Sequence, residues 1–137
     1  MTTSGQLGFT KLLVTDLEAS STFYQTVFGL KESSRIHSAI GERTIDEILF
    51  EPQSTGGATF VLLKFEDVAK PSSDEVIVGF MTSDLAGVLA RSVEAGGAVV
   101  QPADARPEHG VNVAFVADNE GHLIEVVELL SRPDLVT

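Results

Sequence analysis

Apolar and polar positions alternate from Gly8 to Thr15 (GFTKLLVT). This pattern predicts a strand with Phe9, Lys11 and Leu13 on one face and Thr10, Leu12 and Val14 on the other. The period then lengthens. Asp16 is placed as an N-cap, and LEASSTFYQTVF brings Leu17, Phe23, Tyr24, Val27 and Phe28 to one face of a helix that Gly29 terminates. Three strand-type segments follow, within LKESSRIHSA, TIDEILFEP and ATFVLLKFE, separated by Gly41 and by Pro52 with the Ser54-Thr55-Gly56-Gly57 cluster. The polar stretch DVAKPSSD, residues 67–74, reads as a linker. Beyond it EVIVGFMTS predicts a strand, and Asp84 is a second N-cap. LAGVLARSVEA predicts a helix with Leu85, Val88, Leu89 and Val93 inward, and Gly96-Gly97 stops it. Three further strands are predicted within AVVQPAD, VNVAFVAD and HLIEVVEL.

The halves superimpose at a fixed offset of 68 residues: Thr15-Asp16-Leu17 falls on Ser83-Asp84-Leu85, and Gly29 on Gly97. A repeat of this kind takes precedence over other fold readings. Each half reads βαβββ, and neither half alone buries its apolar face. The expectation is an α+β fold in which two βαβββ modules pair into a curved eight-stranded sheet around a concave cavity, with the helices outside. The chain reads as one domain: a first module over about 8–66, the linker 67–74, a second module over about 75–129 and a tail 130–137.

Composition narrows the chemistry. The chain of 137 residues has 43% hydrophobic residues, enough for a real core. Its formal charge of −11 repels phosphate backbones and anionic lipid surfaces, so neither nucleic acid nor a membrane is an expected partner. The absence of cysteine excludes disulfides, thiolate catalysis and Cys-ligated zinc, and fits the cytoplasm. MTTSGQLG lacks the basic and apolar regions of a secretory signal, and no apolar run approaches the roughly 20 residues of a membrane span.

Three segments carry a resemblance to a known family: VTDLEASSTFYQTVFGL in the first half, and GFMTSDLAGVLARSVEAGGAV with VAFVADNEGHLIEVVEL in the second. Together with the duplicated βαβββ pattern they resemble the vicinal oxygen chelate superfamily, which includes glyoxalase I, bleomycin-resistance proteins and extradiol dioxygenases. The resemblance runs from about Gly8 to Leu129. It departs at Asn119, where the family usually has proline, a change that bears on the geometry of the last turn. It implies that a metal-dependent member draws four His, Glu or Gln ligands from the first and last strands of each half, for a divalent ion acting as a Lewis acid. Carried onto this chain, those positions are Phe9, a residue within Thr59–Leu63 (TFVLL), Ile77 and Glu125. Only Glu125 retains a donor, so no metal residue and no cofactor are expected, and a metal-dependent glyoxalase or dioxygenase is disfavoured.

Glu125 then has three readings. It is a ligand-binding acceptor in an apolar pocket, an acid–base group made more basic by desolvation, or a structural partner of Lys11. Phe9, Lys11, Leu13, Ile77, Met81, Leu123 and Glu125 are the expected ligand-binding positions, although the same apolar residues describe a filled core equally well. Glu125 and, on the loop of ARPEHG, His109 are the candidate catalytic residues, and Pro-Glu-His-Gly is also an ordinary turn composition. His122 is expected to contact the adjacent turn on the face away from Glu125, His37 to be exposed, and Tyr24 to pack. Arg35, Arg43, Asp46 and Glu47 are charged and could line the mouth of the cavity, with solvated strand faces the preferred reading. The leading function is metal-free binding of a small organic molecule by a cytoplasmic homodimer. The alternatives are an isomerase, lyase or hydrolase of the same fold using Glu125, with Lys11 or His109, and a pure interaction domain pairing through sheet edges.

Overall fold

The computed structural model describes residues 7–67 and 75–130. Residues 68–74 of the expected linker and 131–137 of the expected tail lie outside the described residues. The elements are β1 (Phe9–Leu13), α1 (Leu17–Phe28), β2 (Glu32–Ile40), β3 (Arg43–Phe50), β4 (Thr59–Phe65), β5 (Val78–Thr82), α2 (Leu85–Glu94), β6 (Ala98–Arg106), β7 (Val111–Ala117) and β8 (Leu123–Leu129). One turn of 3-10 helix, Pro107–His109, joins β6 to β7. Contacts divide the chain into two compact units. The first carries β1–β4 with most of α1, and the second carries β5–β8 with α2 and residues Thr26–Phe28. Each has a four-stranded sheet, ordered β1-β4-β3-β2 in the first unit and β5-β8-β7-β6 in the second. In both sheets the first strand runs parallel to the last and the other neighbours are antiparallel. Parallel pairing needs a long crossover, which the helix and the intervening hairpins provide. Both βαβββ modules and all eight strands are present.

The two helices begin alike and end differently. Asp16 accepts the Ala19 amide at 3.0 Å, and Asp84 accepts the Gly87 amide at 3.1 Å, each satisfying one of the unpaired N–H groups of a first turn. Gly29 closes α1 in the left-handed region, at φ 71°, and its N–H bonds to the Gln25 carbonyl. In α2 the helix ends two residues earlier relative to the repeat. Ala95 caps it and Gly96, at φ 96°, takes the left-handed turn, so Gly97 is not the conformational counterpart of Gly29.

In the first unit the helix side of the sheet is marked by aromatic packing. Tyr24, fully buried, lies 5.1 Å from Phe60, which stacks on Phe50 at 6.0 Å between ring centroids. Alternation puts Leu12 and Leu62 on that same side. The expected packing role of Tyr24 is borne out. In the second unit Leu85 and Val88 bury against the sheet. Val93 does not, contrary to expectation. It lies more than 50° around the helix from the line of Leu85, Val88 and Ser92, and small Ser92 takes the inner position with its hydroxyl donating to the Val88 carbonyl at 2.8 Å.

Candidate functional site

Glu125 sits at the middle of β8, whose two faces are separated cleanly. Ile124 and Val126 are fully buried, and Glu128 accepts the Leu85 amide at the start of α2 at 2.9 Å. The even-numbered residues of β8 therefore face the helix. Glu125, with Leu123 and Val127, faces the other way. Its cross-strand neighbours are Gly79 on β5 and Phe115 on β7. A Cβ placed on Gly79 meets no atom within 4 Å, so the space beside the carboxylate is open. Ile77 and Met81 flank that space and are 55% and 65% exposed. Among the described residues no hydrogen bond or ion pair reaches the half-buried Glu125 carboxylate.

The turn that leads into β8 fixes this arrangement. One Asp118 oxygen accepts the amides of Glu120 and His122 at 2.8 and 2.9 Å, and the other lies 2.8 Å from Nδ1 of the His122 ring. Both residues are buried. His122 thus contacts the adjacent turn, as expected, and faces away from Glu125. Asn119 does not disturb the turn: the Gly121 amide still bonds the Asp118 carbonyl at 3.1 Å.

In the first unit Phe9, Lys11 and Leu13 share the face of β1 opposite Leu12 and Val14. Lys11 is committed to Glu47, with Nζ 2.7 Å from Oε2, so the structural partner expected in Glu125 is replaced by Glu47. The contact is an ion pair without hydrogen-bond geometry, since Glu47 Oε2 has no hydrogen-bond partner among the described residues. Glu47 is only 7% exposed, which corrects its expected place on a solvated face. Its neighbours across the sheet are Ile36 and Leu63, both apolar. The acidic side chain was legible; its burial was not, because Asp46-Glu47 sits within a segment whose direction the pattern leaves open.

Three of the four charged residues offered for a mouth, Arg35, Asp46 and Glu47, do line a groove, at the start of α1 rather than beside Glu125. This open groove of about 600 Å³ is lined by Thr15, Asp16 and Glu18 at the start of α1 and by Arg35, His37, Asp46 and Lys64 on the strands, among others. Its charges largely satisfy each other. Arg35 forms a bidentate pair with Glu18 and also binds Glu32 at 2.9 Å, and the Arg35 hydrogen bond holds the Glu18 carboxyl below the ordinary carboxylate range. Glu125 does not line this groove, and a groove of matched ion pairs is a weaker ligand site than an unpaired carboxylate. Arg43 likewise pairs with Asp67 at 3.0 Å and lies over the Phe65 ring.

His37 is exposed, as expected, but not alone: its Nδ1 lies 2.6 Å from Asp46. This hydrogen bond, reinforced by the Asp46 charge and the more distant Glu66, raises the imidazole pKa above its ordinary 6.5. The stabilisation is complete below the unfolded value and is lost as pH rises through the folded one. In an NMR titration the His37 ring should titrate above the ordinary imidazole value, and Asp46→Asn should bring it back; an unchanged midpoint in Asp46→Asn would contradict the pair.

His109 lies in the 3-10 turn, 70% exposed and 4.0 Å from Glu108. No interaction brings it to Glu125. The metal positions implied by the resemblance can now be tested on their donors. Phe9 and Ile77 supply none. The residues of β4 that share the face of Phe9, within Thr59–Leu63, are Thr59, Val61 and Leu63. Glu125 is the single carboxylate of the set, and among the described residues no group of three or more His, Cys, Asp or Glu gathers to hold an ion. These residues do not fit a four-ligand divalent metal. Among the described residues no helix is long and apolar enough to cross a membrane.

Residues 6–126 match the family model described as the Glyoxalase/Bleomycin resistance protein/Dioxygenase superfamily. No curated protein sequence matches the chain. Among solved structures, a glyoxalase family protein from Bacillus cereus superposes with a TM-score of 0.79 at 17% identity, covering 96% of this chain and 99% of that one. TioX from Micromonospora sp. ML1 is 28% identical over 92% of this chain and 100% of its own, with a TM-score of 0.64. A glyoxalase-related enzyme from Fulvimarina pelagi is also 28% identical, over 90% and 87%, with a TM-score of 0.63.

Proposed function

The chain belongs to the glyoxalase/bleomycin resistance protein/dioxygenase superfamily, and from that premise we propose that it binds a small organic molecule without the help of a metal ion. The binding surface is the helix-free face around Glu125. One observation carries the reading: Glu125, in the family's last metal-ligand position, is a half-buried carboxylate with no partner among the described residues, set among apolar side chains. Such a group costs free energy unless something pairs with it. An apolar wall with one polar anchor is the composition of a small-molecule site. The protein works as a cytoplasmic homodimer on a small molecule, and its charge of −11 disfavours nucleic acid as a partner.

Elemental analysis of protein purified without chelators tests the metal-free part. The expected result is metal well below one ion per chain. One ion per chain, lost in Glu125→Gln, would overturn the reading.

A further inference from the structure

We infer that the ligand of the Glu125 face is an organic cation: an ammonium or amidinium group carried on an apolar, preferably aromatic, body. The inference rests on the reading of that face as a small-molecule site and adds the chemical class of the ligand. Seven side chains surround the carboxylate on its own face, and all are apolar: Leu123 and Val127 along β8, Ile77 and Met81 on the β5 side, and Val113, Phe115 and Ala117 on β7. The sheet neighbours of Glu125 make a row in which Gly79 leaves a notch, Glu125 stands beside it and Phe115 closes the far side.

Each ligand class meets this row differently. An anion faces an unpaired carboxylate and a chain of net charge −11, so it is rejected. A neutral apolar molecule buries the flanking side chains but strips water from Glu125 without replacing it, a desolvation cost with no return. A neutral hydroxyl offers the carboxylate one hydrogen bond of ordinary strength. An ammonium offers a charge-assisted hydrogen bond, and its apolar body covers Met81, Ile77 and Val127. The notch over Gly79 is the only position in this row without a side chain, and so admits the cationic head beside the carboxylate.

Three matched probes separate the possibilities: 4-phenylbutylamine, 4-phenylbutanol and 4-phenylbutyrate, titrated into the full chain at pH 7 and followed by calorimetry. The amine should bind at least about tenfold more tightly than the alcohol, as a charge-assisted hydrogen bond in a desolvated setting predicts, and the carboxylate should bind least. Glu125→Gln should bring the amine down to the level of the alcohol. Gly79→Val, which fills the notch at a position with open space for a side chain, should weaken amine and alcohol while leaving the thermal midpoint close to that of the natural chain. Equal binding of amine and alcohol overturns the cation inference and leaves the small-molecule reading standing. A preference for the amine that survives Glu125→Gln overturns the role of Glu125. Failure of all three probes to bind overturns both the inference and the reading beneath it.

Discussion

Asp118→Ala should destabilise the protein by about 3–5 kcal/mol in urea unfolding, the cost typical of removing one partner from a buried polar pair. Asp118 and His122 are each only 3% exposed. One carboxylate answers two backbone amides and the imidazole, so alanine removes three polar contacts at once from a buried turn. The loss should appear as a lower midpoint with little change in slope, because the surface exposed on unfolding is the same. Asp118→Ala combined with His122→Leu should recover part of the loss, since the second change replaces a buried polar ring by an apolar side chain of similar volume. A loss under about 1 kcal/mol would show that water or a rearranged turn replaces the carboxylate. The clasp sets where β8 begins, and a one-residue slip of β8 would turn Glu125 from its open face into the core.

Much of the architecture was legible because it rests on local rules. Asp16 and Asp84 cap helices as side chains of that type do, and the strict alternation around Glu125 placed it and Leu123 on one face and Ile124 on the other. The repeat supplied the rest, since each half alone has an apolar face left over. The helix ends were less legible. The sequence offset equates Gly29 with Gly97, yet the left-handed turn falls to Gly96 because α2 winds fewer residues before its carbonyls are satisfied. Val93 failed for a related reason: a helix of this length presents one narrow stripe, and small Ser92 occupies it.

The site was legible in part. Glu125, its apolar neighbours and the loss of metal donors at Phe9 and Ile77 follow from type and spacing. The choice of Glu47 as partner for Lys11 does not. It depends on β4 lying between β1 and β3, and β1 pairs with a strand about 50 residues further along the chain, which no local pattern encodes. The same is true of the groove beside α1, where Glu18 meets Arg35 across 17 residues of sequence. Gly79 had no visible meaning in the sequence. Its role as a gap beside Glu125 appears only once the β5–β8 register is known.

The central claim is that this chain holds an organic ligand on an apolar face anchored by a carboxylate, with no metal between them. Methyl-resolved NMR of the isoleucine, leucine, valine and methionine side chains, with neutral 4-phenylbutanol as probe, tests it most directly and independently of ligand charge. The probe should shift the methyl resonances of Ile77, Met81, Leu123 and Val127, on the helix-free face of the second unit, by the same amounts with and without excess chelator. The buried methyls on the helix side, those of Leu85, Val88 and Ile124, should hardly move, since the probe does not reach them. Shifts that appear only after a divalent ion is added, or that fall on the helix-side methyls instead, would contradict the account.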